Sequence, residues 1–253
     1  MLRKIKNFLL DIFFPKFCLG CKKEGEYLCE DCKATLEISE FQYCLCSKSP
    51  KRVIVYPPAP ERSDGKRGKC PKCQSKKLNG LYFALPYKSP LIKELIKKFK
   101  YKPFAKEISN TLASLILDHF LLIGKNAQKD FADFLVIPVP LNKKREKWRG
   151  FNQATEIGKK LSQYLKIPLE SEILIKIKKT ALQVNLGKKE REENIKGAFT
   201  INPIRCSLSN RVKGRKILLV DDVYTTGSTM EECAKVLKKA GAKEVWGVAV
   251  ARG

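Results

Sequence analysis

The apolar positions of this chain fall into two periods. Leu81-Tyr-Phe-Ala-Leu-Pro-Tyr87, Phe134-Leu-Val-Ile-Pro-Val-Pro140, Ile217-Leu-Leu-Val220 and Lys243-Glu-Val-Trp-Gly-Val-Ala-Val-Ala251 are short, near-continuous apolar runs. Such runs suit strands buried on both faces of a parallel sheet. Between them the spacing becomes helical. Pro90 opens one predicted helix after a Ser89 cap, with Leu91, Leu95, Ile96 and Phe99 on its apolar face and Lys93, Lys97, Lys98 and Lys100 on the other, which we read as solvated. Pro103 opens a second, longer helix through Leu115 and Leu122 that contains His119, to which the sequence assigns no role. A third runs from about Ala154 to Leu165. A fourth follows Glu231, with Cys233, Ala234, Val236, Leu237 and Ala240 at helical spacing, and stops at Gly241. Strands alternating with helices imply an α/β domain.

Before Gly80 the character is different. Eight of the ten cysteines precede residue 74, as Cys18-x2-Cys21, Cys29-x2-Cys32, Cys44-x-Cys46 and Cys70-x2-Cys73. Two-residue spacing turns two thiolates onto one metal, and four sulfurs make the tetrahedral site that zinc prefers. The first quartet is a strong signal. The second is irregular, because its first pair is one residue short and Arg52 to Lys69 separates it from its partner pair. An interleaved ligand set is the alternative pairing. One or two Zn2+ ions are expected, in a structural role, since four thiolates leave no open position and a module this small needs a staple. We place this module at residues 1–79 and the α/β domain at residues 80–253. The stretch from Val53 to Lys69 carries prolines, glycines and charges and reads as an exposed loop, in which Tyr56 could stack on a base.

The chain start is basic and then apolar, with Ile5, Phe8, Leu9, Ile12 and Phe13 at helical spacing. Asp11 and Pro15 interrupt it and no small-residue cleavage pattern follows, so we expect a short docking helix rather than a signal peptide. No run approaches the roughly 20 apolar residues of a membrane span. A cytoplasmic location is expected, which also favours metal over disulfides. Lys+Arg total 51 against 26 Asp+Glu, a formal net charge of +25. That excess attracts polyanions such as nucleic acid or phosphorylated metabolites, although surface solubility accounts for diffuse charge equally well.

The chemistry concentrates in Lys216-Ile-Leu-Leu-Val-Asp-Asp-Val-Tyr-Thr-Thr-Gly-Ser-Thr-Met230. Asp221 and Asp222 come where the strand is expected to leave the sheet. Thr225, Thr226, Gly227, Ser228 and Thr229 then lead into a helix. A helix N-terminus offers unpaired N–H groups and a partial positive charge to a phosphate. Gly227 allows close backbone approach, and the hydroxyls add donors. Carboxylates beside a phosphate site suit ribose hydroxyls or a bridging divalent metal. A plain strand-to-helix turn with a capped start is the simpler account of such residues. The stretch resembles the PRPP (phosphoribosyl pyrophosphate) loop of type I phosphoribosyltransferases. The resemblance implies that Asp221 and Asp222 contact ribose hydroxyls and that Thr225 to Thr229 hold the 5′-phosphate.

After the strand ending at Pro140 comes Leu141-Asn-Lys-Lys-Arg-Glu-Lys-Trp-Arg-Gly-Phe-Asn-Gln153. Here Arg145 and Arg149 supply forked donors, Gly150 lies at the end of a basic loop, and Asn152 and Gln153 can orient the arginines, which together suit a pyrophosphate. With the cysteine module, the VDDVYTTGST loop, Gln183-Val-Asn-Leu and Lys189 to Phe199, this segment is similar to the ComF family, competence-associated proteins of phosphoribosyltransferase type. The resemblance covers nearly the whole chain; Cys44-x-Cys46 departs from it. It implies a type I phosphoribosyltransferase fold, an open and mainly parallel twisted sheet flanked by helices, with a small N-terminal zinc-ribbon module. It also implies binding of PRPP with Mg2+, with Asp221, Asp222 and Arg149 as catalytic residues. A basic segment from Lys178 to Gly197 falls where such enzymes close a loop over the reaction; a solvated surface loop explains its charges as well.

Two functions are carried forward. One is a phosphoribosyltransferase with a role in DNA uptake and natural competence. The other is a non-catalytic adaptor for single-stranded DNA, or a phosphoribosyl-ligand sensor, using the same pocket. A glutamine amidotransferase is rejected, because the chain opens Met1-Leu2 and its early cysteines have metal spacing. No acceptor signature is present.

Overall fold

A computed structural model describes residues 15–41, 45, 73–101, 106–178, 188–204 and 209–253. The predicted docking helix, Tyr56, Pro103, Cys44, Cys46 and Cys70 lie outside the described residues. Cys73 is buried.

Four parallel strands form the central sheet: β1 (Gly80–Pro86), β2 (Phe134–Pro138), β5 (Lys216–Tyr224) and β6 (Glu244–Arg252), in the order β1-β6-β5-β2. Leu169 continues the sheet beyond β2 by a single parallel bridge to Val136. A separate antiparallel pair joins β3 (Leu174–Lys176) to β4 (Phe199–Ile201). Successive side chains point to opposite faces, so each strand feeds two cores. Tyr82, Ala84, Leu218, Val220 and Val248 join the core under α2 (Pro90–Lys100), α3 (Ile108–Leu122) and α6 (Gln153–Leu165). Leu81, Phe83, Ile217, Leu219 and Ala249 join the core under α9 (Ser228–Lys239) and the β3–β4 pair. Burial on both faces explains why these runs lack polar alternation.

The remaining helices are short: α1 (Glu30–Ala34), α4 (Ala127–Asp130), α5 (Lys143–Arg149), α7 (Lys188–Ile195) and α8 (Ser209–Val212). Three expectations shift. The buried residues of α2 are Ile92, Leu95, Ile96 and Phe99, and Ser89 precedes the helix without a side-chain cap. The basic segment after β2 is not all loop, since Asn142 accepts a hydrogen bond from the Lys144 N–H and starts α5. The last helix begins at Ser228, three residues before Glu231.

Residues 15–41 wrap the four cysteines and lean on the domain. The Ser39 N–H donates to the Ala84 carbonyl at 2.7 Å. His119, fully buried in α3, donates from Nδ1 to the Ser39 carbonyl at 2.6 Å. Burial outweighs that hydrogen bond and holds His119 down at about 4, so the ring is neutral. Lys33–Asp118 and Lys16–Glu107 ion pairs add to the seam, and Leu28 enters the α2/α3 core. His119 therefore has a role that its sequence position did not disclose: it ties the cysteine segment to α3. Among the described residues no helix is long and apolar enough to cross a membrane.

Candidate functional site

The Sγ atoms of Cys18, Cys21, Cys29 and Cys32 all lie within 4.8 Å of one another. A tetrahedral zinc with bonds of about 2.3 Å holds its sulfurs about 3.8 Å apart, so the cluster has the dimensions of such a site. The first pair sits on a tight turn in which Lys22 takes a positive φ of 66° and its N–H donates to the Cys18 carbonyl. The second pair uses Cys29 as the N-cap of α1, its sulfur accepting from the Cys32 N–H at 3.5 Å. A side chain on Gly20 would meet the Cys32 sulfur at 2.7 Å, so this glycine lets the two turns close on each other. Burial opposes ionisation of Cys18, but N–H groups of Cys29, Cys21 and Gly20 bring it down to about 6. The sulfurs of Cys18, Cys21 and Cys29 push Cys32 up to about 12. Four thiols this close cannot all ionise without a cation between them; the cluster could hold a zinc ion.

The second centre lies at the carboxyl ends of the parallel strands, where open α/β sheets bind ligands. A cavity of about 560 Å³ is lined there by Asp221, Asp222, Thr225, Thr226, Gly227, Ser228 and Thr229 from β5 and its turn, and by Arg145, Arg149, Asn152 and Gln153 after β2. Gly150 ends α5 with a φ of 79° and is not part of the lining. Sequence segments separated by about seventy residues thus meet around one cavity.

The acidic pair does not lie beyond the strand. β5 continues through Asp221 and Asp222 to Tyr224, because β6 pairs with it as far as Arg252. Consecutive strand residues diverge, so the two carboxylates face different neighbours. Asp222 is buried and its Oδ2 lies 2.8 Å from Lys100 Nζ, at the C-terminal end of α2. Asp221 is pushed up to about 7, first by burial and then by the Asp222 charge, with Lys100 and Lys176 pulling the other way. Lys100 itself is held above its usual range: burial opposes its charge, and Asp222 more than restores it.

At the turn, Gly227 has a φ of 78° and opens α9 without a side-chain cap. A Cβ there would fall 2.2 Å from the Tyr224 hydroxyl, so backbone angle and packing both demand glycine. The Thr226 and Ser228 hydroxyls share a hydrogen bond at 2.8 Å and face the same cavity. The Ser228 N–H also donates to Thr226 Oγ1 at 3.4 Å, so the start of α9 and these hydroxyls line the cavity together.

In the opposite wall Arg149 is 8 % exposed, donates from Nη1 to Gln153 Oε1 at 2.7 Å and lies over the Tyr101 ring at 5.6 Å. Arg149 Nε and Gln153 Nε2 are buried donors with no acceptor among the described residues. Asn152 is occupied otherwise. Its Oδ1 accepts from the Ala154 N–H and caps α6, and its Nδ2 donates to the Val139 carbonyl. Lys100, Tyr101, Lys176 and Trp148 also line the cavity and were not singled out from sequence. Lys100 follows the same i, i+4, i+7 stripe as Lys93 and Lys97, which hides that it alone reaches past the helix end to Asp222. Of the basic segment, Lys178 donates to the Lys196 carbonyl, and residues 179–187 lie outside the described residues.

Residues 152–253 match the phosphoribosyl transferase domain family. With the parallel sheet and the loop at the end of β5, that match makes this a protein of type I phosphoribosyltransferase fold. Over nearly its full length the chain is similar to competence protein F of Haemophilus influenzae, at 33% identity over 94% of this chain and 98% of that protein. It is similar to DNA utilization protein YhgH of Escherichia coli strain K12 at 31% identity, over 87% of this chain and 95% of that protein. Competence protein ComFC of Bacillus subtilis strain 168 is 30% identical over 60% of this chain and 55% of its own length. The chain belongs to the ComF family.

Proposed function

We propose that the cavity at the carboxyl ends of β2 and β5 binds PRPP together with Mg2+, and that the protein serves DNA uptake in natural competence from the cytoplasm. The observation that carries the ligand is the pair of buried, acceptor-less donors, Arg149 Nε and Gln153 Nε2, in the wall of a cavity that also holds the start of α9 and an acidic pair. Buried donors without partners are costly in a protein at rest. An anion with several oxygens removes that cost, and a pyrophosphate fits the forked donors of Arg149 and Arg145. The 5′-phosphate falls to Thr225 to Thr229 and the ribose hydroxyls to Asp221 and Asp222. The carboxylate oxygens are hard donors that suit Mg2+, which neutralises pyrophosphate charge. Arg149 stabilises a departing pyrophosphate, and Lys100 holds Asp222 in an ion pair beside it. The role in DNA uptake rests on the names of the relatives, competence protein F and DNA utilization protein YhgH.

A second reading, binding without turnover, draws on the lining itself. Among the described residues its only carboxylates are those of the acidic pair, and it contains no histidine; no separate general base is offered to an acceptor. We propose residues 1–79 as a helix and double zinc-ribbon module, with Cys44, Cys46, Cys70 and Cys73 as the second quartet, and residues 80–253 as the phosphoribosyltransferase-like domain. A pyrophosphate-release assay across candidate acceptors separates turnover from binding alone. Calorimetry on Arg149→Lys, which keeps the charge and loses the fork, tests the pocket: PRPP affinity falls at least tenfold, and unchanged affinity removes Arg149 from the site.

A further inference from the structure

The acidic pair already has a cation. Asp222 is buried in the wall of the cavity, and Lys100 Nζ lies 2.8 Å from its Oδ2. A carboxylate held this far from water needs a positive partner. Two other buried carboxylates of the domain, Glu156 and Glu232, also hold lysines, yet neither acid nor its partners Lys106, Lys159 and Lys235 line the cavity. Lys100 and Asp222 both do. Lys100 is the last residue of α2, and its side chain keeps 23% of its surface exposed. A flexible four-carbon stem at a helix end can carry its ammonium elsewhere without disturbing the helix.

We propose that Lys100 is a displaceable counter-ion that competes with the divalent cation for Asp222. It keeps free metal off the acidic pair and yields the carboxylate only to metal that arrives with the phosphorylated ligand. The order follows from charge. Among the described residues the cavity lining carries four cations, Lys100, Arg145, Arg149 and Lys176, against the two carboxylates. A bare dication entering such a site meets net repulsion, strongest from the ammonium already on Asp222. A ligand with several phosphate oxygens reverses that balance. Its phosphates attract all four side chains, and they offer the Lys100 ammonium another partner when it leaves the carboxylate. The inference rests on the proposed function in taking the ligand to be phosphorylated and metal-bearing.

The test is a titration of full-length protein with Mn2+ in the absence of PRPP, with Mn2+ as the probe of the Mg2+ site and free ion read by electron paramagnetic resonance. Wild type and Asp222→Asn give the same isotherm, because neither admits metal to the acidic pair. Lys100→Met gains one Mn2+ per chain, at least about tenfold tighter than wild type. The added change Asp222→Asn removes that gain, and Lys100→Arg, which keeps the charge, behaves as wild type. Lys100→Gln repeats the test should Lys100→Met not fold. The inference is overturned if wild type alone binds a Mn2+ that Asp222→Asn removes, a result that needs no Lys100 variant. It is equally overturned if loss of the ammonium leaves the affinity unchanged, or if the gain survives Asp222→Asn. Calorimetry of wild type with PRPP and Mg2+ keeps the two readings apart. PRPP binding with a Mn2+ affinity indifferent to Lys100 sinks the counter-ion alone, and a Lys100-dependent Mn2+ site without PRPP binding sinks the phosphoribosyl ligand alone.

Discussion

Lys100→Met removes the only cation that the described residues bring into ion-pair contact with Asp222, while keeping most of the lysine stem. The pair is 2.8 Å apart, with side chains 23% and 9% exposed. At an effective dielectric of about 20 its attraction is roughly 6 kcal/mol, and desolvation offsets much of that. Breaking fully buried pairs costs about 3–5 kcal/mol. Lys100 is not fully buried, and Arg149 still lies near Asp222, so about 2 kcal/mol is expected here. For a chain of this size that lowers Tm by roughly 4–8 °C. The assay is urea denaturation of Lys100→Met, Asp222→Asn and the double variant. The cycle should return a coupling of at least about 1 kcal/mol, because the double change deletes both charges and leaves none buried alone. A coupling near zero would mean that the contact is incidental and that Lys100 is the solvated lysine its sequence position suggests.

Other predictions are independent of that pair. Asp221 has a folded value of about 7, raised above the usual carboxylate value, so the folded state holds its proton longer than the unfolded chain. Stability from this group is therefore greatest at low pH and falls as pH rises from about 4 to 7, by at most about 1.4 kcal/mol per unit; Asp221→Asn should flatten that segment of the pH–stability curve, and an unaltered curve would contradict the assignment. Gly227→Ala meets both a positive φ and the Tyr224 hydroxyl. It should cost about 1–3 kcal/mol and abolish anion binding at α9, measured by thermal unfolding and PRPP titration; wild-type values in both would refute the packing argument. Cys18→Ser with Cys21→Ser should lower bound zinc by one ion per chain in elemental analysis and increase amide exchange at Ser39, whose N–H bonds Ala84. Full zinc content in that variant would place the metal elsewhere.

Much of this was legible in the sequence because it is local. A buried strand, an acidic pair and a hydroxyl-rich turn share one continuous stretch, and Cys-x2-Cys pairs announce their own geometry. Both depend on neighbours only a few residues away. The extension of β5 to Tyr224 was hidden because it depends on β6 pairing out to Arg252. Polar residues inside a strand look like its end when the partner strand is unknown. α5 looked like loop because its seven residues are mostly basic and no apolar face marks the period. Lys100 and His119 gain their meaning from Asp222 and Ser39, 122 and 80 residues away; nothing in helical spacing encodes a contact at that range.

Calorimetric titration with PRPP and Mg2+, comparing wild type with Asp221→Asn/Asp222→Asn, tests the central claim most directly. Saturable one-to-one binding by wild type, weakened at least tenfold in the double variant, is the result expected. No heat of binding in wild type, or equal affinity in both, would contradict the assignment of this cavity to a phosphoribosyl ligand.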